Sequence, residues 1–173
     1  MRGVLDASHR GTDIPGGCTC VLASLAPSAS PASSSAELRA VNLGDSGFIV
    51  VRDGKTVFES PSQQHGFNMP YQLAQISVYP DSDDANAADA LAVRVQEGDV
   101  IVAGSDGLFD NLFNTDIAKV GREQKSKTKT TATTGPRQWA RQMTRTHRDS
   151  GIAGCLTTRT HRDSGMAGCL MTA

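Results

Sequence analysis

No stretch of this chain is long and apolar enough to cross a bilayer as a helix, so no membrane association is expected. The opening residues, Met1-Arg2-Gly3-Val4-Leu5-Asp6, are interrupted by charge at once and do not read as a secretory signal. Cysteine is scarce: Cys18, Cys20, Cys155 and Cys169 form no Cys-x-x-Cys pair and have no metal-spaced histidines, so a structural zinc site is not indicated. Cys18 and Cys20, two apart, share one face of a strand and read as packed thiols rather than a disulfide. A reducing compartment is the expectation. His147-Arg148-Asp149 and its copy His161-Arg162-Asp163 imitate a kinase catalytic-loop triplet. The glycine-rich loop, the paired lysine and the asparagine that follow from that chemistry are all missing, so the triplet is read as coincidence.

What is present is divided sharply by charge. Residues 1–118 carry six Lys and Arg against fifteen Asp and Glu, a balance of −9. Residues 119–173 carry eleven against three, a balance of +8, although the whole chain of 173 residues sums to −1. The first part is long enough to bury a core of its own. The second contains Lys125-Ser126-Lys127-Thr128-Lys129, one tryptophan, Trp139, and a tandem repeat of period 14. In it Arg145-Thr146-His147-Arg148-Asp149-Ser150-Gly151 recurs as Arg159-Thr160-His161-Arg162-Asp163-Ser164-Gly165, and Ala153-Gly154-Cys155-Leu156 as Ala167-Gly168-Cys169-Leu170. Two copies of so short a unit do not make a solenoid, and the segment is expected to be a disordered basic tail. Its charge suits non-specific adhesion to nucleic acid at low salt, but it has no recognisable reading module, so nucleic acid is not the expected partner.

Within residues 1–118 the pattern is strand-rich. Val4, Leu5 and Ser8 suit a helix end, and Cys18 to Leu25 reads as a strand following Gly16-Gly17. Ala26 to Ala36 is an Ala/Ser/Pro run read as a surface loop. Leu38 to Asn42 is a strand interrupted at Gly44-Asp45-Ser46-Gly47 and resumed at Phe48 to Val51. Asp53-Gly54 supplies the positive φ angles of a tight hairpin, with Thr56-Val57-Phe58 as the returning strand. Ser60 to Pro80 reads as an ordered loop with a short helix near Tyr71-Gln72-Leu73, and Asp81 to Asp89 as a solvated acidic loop rather than a calcium loop. Leu91 to Val95 and Val100 to Ala103 are expected to form a second hairpin around Glu97-Gly98-Asp99. Leu108 to Ala118 reads as a turn into a short helix, with Asn114 or Thr115 as N-cap. The fold class is α+β with mainly antiparallel sheets.

Val100-Ile101-Val102-Ala103 is a buried strand that ends in Ser105-Asp106-Gly107-Leu108-Phe109-Asp110-Asn111. Carboxylates at a rigid strand end are oxygen donors suited to a hard divalent cation. Taken alone, Asp106-Gly107 reads first as an ordinary strand-stopping turn, with a metal ligand as its alternative.

Two motifs in order carry a resemblance. Asn42-Leu43-Gly44-Asp45-Ser46-Gly47-Phe48, followed by Arg52-Asp53-Gly54, and then Gly98 to Asn111, resemble the type 2C metal-dependent protein Ser/Thr phosphatases. Gly16-Gly17-Cys18-Thr19-Cys20 stands at that family's Gly-Ser-Ser-Thr-Ala-like strand start. Gln63-Gln64-His65-Gly66-Phe67-Asn68 is similar to a branch found in plants and often in organelles. The resemblance covers about Val4 to Ile117. It implies an α-β-β-α sandwich and hydrolysis of phosphoserine or phosphothreonine in a phosphoprotein substrate. It also implies two Mg²⁺ or Mn²⁺ ions bridged by a water that attacks phosphorus in line. By position it gives Asp106 the role of metal ligand, Asp45 that of a ligand to a third, weaker metal, and Asp110 a place near that third metal. No catalytic residue beyond these metal-site aspartates is implied. His65 reads as a loop-packing residue, with an acid role as its alternative.

The family's metal-bridging Asp-Gly-x-Gly-Gly and its closing Gly-x-x-Asp-(Asn/Asp) strand have no counterpart in these residues, and Asp6 does not take the bridging place. The expectation is therefore a partial phosphatase domain over 1–118, lacking N-terminal and closing C-terminal elements, with an unpaired sheet edge, from a truncated or mis-spliced gene product. A catalytically dead fragment acting as a binding module is the alternative. A monomer is expected, intracellular and in a chloroplast or mitochondrion if it follows its branch.

Overall fold

The computed structural model describes residues 1–11, 13, 15–27, 35–120, 156–159 and 167–172. The chain begins with helix α1, Arg2–Arg10, followed by β1, Gly17–Pro27, and β2, Ser35–Leu43. Next come β3, Gly47–Arg52, β4, Lys55–Glu59, and the short strands β5, Gln64–Gly66, β6, Met69–Pro70, and β7, Leu73–Ala74. Strands β8, Asp89–Gln96, and β9, Val100–Gly104, lead into the single turn of α2, Asp106–Phe109, and a helix α3 over 114–120. The last described strands are β10, Leu156–Arg159, and β11, Ala167–Thr172.

Two antiparallel sheets stack face to face. One runs β11-β1-β2-β8, with β7 also pairing β1, and the other runs β10-β9-β3-β4; β5 and β6 form a separate hairpin. The period-2 alternation of each strand sorts its side chains between layers. Val21, Ala40, Phe48, Val50, Val95 and Ile101 fill the space between the sheets. Their neighbours in sequence face outward: Cys20 and Val41 pack with Leu5 of α1, while Ile49, Val51 and Val102 pack with Leu108, Ile117 and Ala118. The layering is thus helix, sheet, sheet, helix. Phe48 and Phe58 stack with ring centroids 5.5 Å apart, a contact stabilising by about 1 kcal/mol beyond their burial.

Several sequence expectations hold at the level of single residues. Asp53 and Gly54 take φ of 50° and 79°, and β3 and β4 pair around them as a hairpin. Cys18 and Cys20 form no disulfide and lie on the α1 side of β1.

Three expectations are corrected. β8 and β9 do not pair with each other: β8 pairs β2 and β9 pairs β3, so the Glu97-Gly98-Asp99 turn carries the chain from one sheet to the other. The interruption at Gly44-Asp45-Ser46 is the same kind of crossing, between β2 and β3. The helix expected near Tyr71-Gln72-Leu73 is instead the start of β7, because Leu73 and Ala74 find hydrogen-bonding partners in Cys18 and Gly17 of β1.

The expected loop at 26–36 shrinks at both ends, since β1 runs to Pro27 and β2 begins at Ser35; 28–34 lies outside the described residues. Most of the expected tail, 121–155 and 160–166 together with 173, also lies outside them. Its two described pieces are strands at sheet edges: Leu156–Arg159 on β9, with Leu156 opposite Ala103, and Ala167–Thr172 on β1, with Leu170 opposite Val21. Where an unpaired sheet edge was expected, β9 and β1 are therefore paired, with Leu156 and its repeat counterpart Leu170 on different sheets. An open edge offers unpaired N–H and C=O groups that any extended segment can satisfy.

Candidate metal centre

Register builds the site. Gly47 of β3 and Gly104 of β9 are partners in an antiparallel ladder. Continuing that register outward sets position 46 against 105 and position 45 against 106. Asp45, before one strand, and Asp106, after the other, therefore meet at the same end of the second sheet. Both paired positions need a residue without a side chain. A Cβ on Gly104 would sit 2.6 Å from Leu108 Cδ2, and one on Gly47 would sit 2.7 Å from Ser60 Oγ.

The turn carrying Asp45 is held from below. Gly44 has φ of 92°, and a Cβ there would lie 2.5 Å from the Tyr71 carbonyl oxygen, so conformation and space both demand glycine. The Gly44 N–H donates to Gln63 Oε1 at 3.2 Å, and its carbonyl accepts from the Gln63 N–H at 2.9 Å. Gln63 further accepts from the Tyr71 N–H at 3.1 Å and donates its side-chain amide to the Ala87 carbonyl at 2.9 Å. One residue beyond Asp45, the Ser46 hydroxyl is buried and shares a 2.6 Å hydrogen bond with the Thr19 hydroxyl. Asp45 is thereby fixed by β1, by the 60s segment and by the loop before β8.

Asp106 opens α2 behind Ser105, exposed, with its Oδ1 accepting from the Gly107 N–H at 2.7 Å. Asp110 closes the same turn and is also exposed. The Asp45 carboxyl is pushed above the usual carboxylate range, first by burial, which penalises its charge, and then by the negative charges of Asp106 and Asp110. Three carboxylates thus share one electrostatic locus, and an added cation would relieve it. Among the described residues, however, no three His, Cys, Asp or Glu side chains converge closely enough to enclose a metal. The donor chemistry fits a hard cation, all oxygen, and the set is open on one side.

The register places Asp45 and Asp106 at the same sheet end, with Asp110 one turn beyond Asp106, and the three do not converge on one metal-enclosing group. The structure also shows what motif reading missed, the bracing of the Asp45 turn by Gln63, Thr19 and Ser46. In the sequence the Gln63-Gln64-His65 segment gave a branch resemblance but no sign of this bracing role. His65 lies apart, stacked on Tyr71 at 4.0 Å and paired with Asp83, in keeping with a loop-packing role.

Comparison with known proteins agrees with this architecture. No protein-family model matches the chain. Over 117 residues, 68% of this chain and 26% of the relative, it is 44% identical to probable protein phosphatase 2C 80 of Arabidopsis thaliana. It is 49% identical over 82 residues to the protein phosphatase PTC7 homolog of Homo sapiens, covering 43% of this chain and 26% of that protein. Among solved structures it resembles the photosystem II phosphatase PBCP, with a TM-score of 0.61 and 29% identity over 73% of this chain and 49% of that one. The chain is thus similar to part of the type 2C protein phosphatases, and its α+β fold with antiparallel sheets matches that of the solved relative. It spans about a quarter of the length of these curated relatives, all of them named as protein phosphatases.

Proposed function

We propose that this chain is a metal-dependent protein serine/threonine phosphatase acting at Asp45, Asp106 and Asp110. The observation that carries the reading is the Gly47–Gly104 register, which sets Asp45 and Asp106 at one sheet end. Likeness to named phosphatases supports it. The three carboxylates would hold Mg²⁺ or Mn²⁺, whose chemistry, when bound, is to activate water and to offset the charge of a phosphoryl group. The chain's own contribution is placement. Gln63 and the Thr19–Ser46 pair hold the Asp45 turn, and the Gly104–Leu108 contact seats α2 so that Asp106 and Asp110 face the same locus. Its substrate is a phosphoprotein. Likeness to a photosystem II phosphatase and to plant relatives supports a plastid location.

A second reading has its own support. The absence of three converging ligands among the described residues favours a module that binds phosphoproteins without turning them over. Phosphate release from a phosphoserine peptide with Mn²⁺ separates the two. Turnover that disappears in Asp106→Asn supports the phosphatase, and no turnover at any Mn²⁺ concentration supports the binding module.

A further inference from the structure

The surface beside the Asp45 turn contains a second feature that metal chemistry does not use. An open pocket of about 430 Å³ lies behind the β5–β6 hairpin, lined among others by His65, Pro70, Tyr79, Pro80, Asp81 and Asp83. Its floor is fixed. The Asp83 carboxylate accepts the Gln72 N–H at 2.9 Å and meets His65 Nε2 at 3.0 Å, while the His65 ring stacks on Tyr71. Asp81 lines the same pocket, is exposed, and has no Lys or Arg beside it in the lining. The lining is partly apolar and open: Val78 is 47% exposed and Tyr79 48%. Exposed apolar side chains lining a pocket beside carboxylates suit contact with a partner segment.

Charge selects the occupant. Two carboxylates line the pocket against one histidine, in a body whose residues 1–118 balance at −9. Phosphate groups and nucleic acids are repelled from such a surface, whereas a cation with an apolar stem fits it. The wall of the pocket is also tied to the candidate metal centre. Gln63, next to β5, makes two hydrogen bonds to Gly44, and Tyr71, which supports His65, donates to the Gln63 carbonyl. Pocket lining and Asp45 turn are therefore linked through the contacts of Tyr71 and Gln63.

We propose that this pocket receives a lysine or arginine of the phosphoprotein segment whose phosphoserine or phosphothreonine lies at the aspartates. The alkyl stem packs on Tyr79 and Pro80 and the charged head pairs with Asp81. This rests on the phosphatase reading for the identity of the bound segment, but its geometry does not depend on turnover.

The test is fluorescence anisotropy on the full chain with Mn²⁺ at low salt, using phosphoserine peptides that carry Arg, Ala or Glu at successive positions on either side of the phosphoserine. The Arg peptides should bind about threefold to fivefold more tightly than the Ala peptides at one favoured spacing, as for one partly shielded ion pair. In Asp81→Lys, whose position is exposed and tolerant of change, the order should invert to favour Glu. Hydrolysis of p-nitrophenyl phosphate, too small to reach the pocket, should be the same in Asp81→Lys and the unaltered chain. Equal affinity for Arg and Ala peptides, no measurable binding of any peptide, or an Arg preference that survives Asp81→Lys would each overturn the proposal. Equal affinities are also what a pocket filled by the chain's own basic segment would give. Failure of the phosphatase reading shows separately, as no p-nitrophenyl phosphate hydrolysis in a chain that still prefers Arg.

Discussion

Arg52 and Asp99 are joined by two hydrogen bonds, Nε to Oδ1 at 2.9 Å and Nη2 to Oδ2 at 2.8 Å, across 47 positions of sequence. Asp99 is 1% exposed, and one of its oxygens also accepts the Gln96 N–H at 2.9 Å. The pair pins the turn after β8, where the chain changes sheets, to the end of β3. A two-pronged guanidinium–carboxylate contact is directional as well as strong, so it fixes the angle at which the crossing turn leaves the sheet.

Removing one partner should therefore cost more than a surface pair does. Arg52→Met leaves a buried carboxylate without its cation, and a loss of about 2–4 kcal/mol is expected, reduced from the fully buried case because Arg52 is partly exposed. Urea denaturation of the variant and the unaltered chain measures it. A change under about 0.5 kcal/mol would mean that the crossing is held by other contacts.

Gly44→Ala tests the brace under Asp45. Its φ of 92° and the approach of the Tyr71 carbonyl leave no room for a methyl group. The expected loss is about 1–3 kcal/mol, with Mn²⁺ affinity falling as the Asp45 turn shifts. Unfolding curves with and without Mn²⁺ separate the two effects.

Metal-free stability should depend on pH through Asp45. Its folded carboxyl sits above the usual range because of burial and the charges of Asp106 and Asp110. A raised carboxyl binds its proton more tightly in the folded chain, so its stabilising contribution is complete below the unfolded value and is lost as pH rises through the folded one. In EDTA, Asp45→Asn should therefore melt at a higher temperature than the unaltered chain at neutral pH. The difference should close on acidification to where Asp45 is protonated in both states. Added Mn²⁺ should reverse the order. Melting temperatures across a pH series check all three statements, and a variant less stable than its parent in EDTA at neutral pH would count against them.

The repeat strands make a separate prediction. Replacing Leu156–Arg159 with Gly-Ser residues should speed hydrogen exchange along β9 and leave β1 unchanged, because β10 pairs β9 whereas β11 pairs β1 in the other sheet. Exchange mass spectrometry reads this directly. Unaltered exchange along β9 would show that its edge is not held by the repeat.

The parts of the fold legible in the sequence are those whose cause is local. Asp53-Gly54 encodes its hairpin through two positive φ angles, and the unbroken apolar run Phe48-Ile49-Val50-Val51 encodes a strand buried on both faces. Leu91–Val95 and Val100–Ala103 looked like a hairpin because Glu97-Gly98-Asp99 is a good turn. Choice of partner is not local, however, and β2 and β3 won those edges. Tyr71-Gln72-Leu73 likewise follows a distant strand rather than its own propensity. At the site, motif order singled out Asp45 and Asp106, and the register sets them at one sheet end. Gln63 was not legible, since its contacts reach Gly44, Tyr71 and Ala87 and no spacing rule connects them.

The central claim is that Asp45, Asp106 and Asp110 form one cation site. Its most direct test is Mn²⁺ titration followed by electron paramagnetic resonance, in which bound ions lose the free-ion signal. The full chain should take up Mn²⁺ saturably, and Asp106→Asn should weaken that uptake at least tenfold while keeping the same circular dichroism spectrum. Uptake of equal strength in the two proteins, or none in the unaltered chain, would contradict the account.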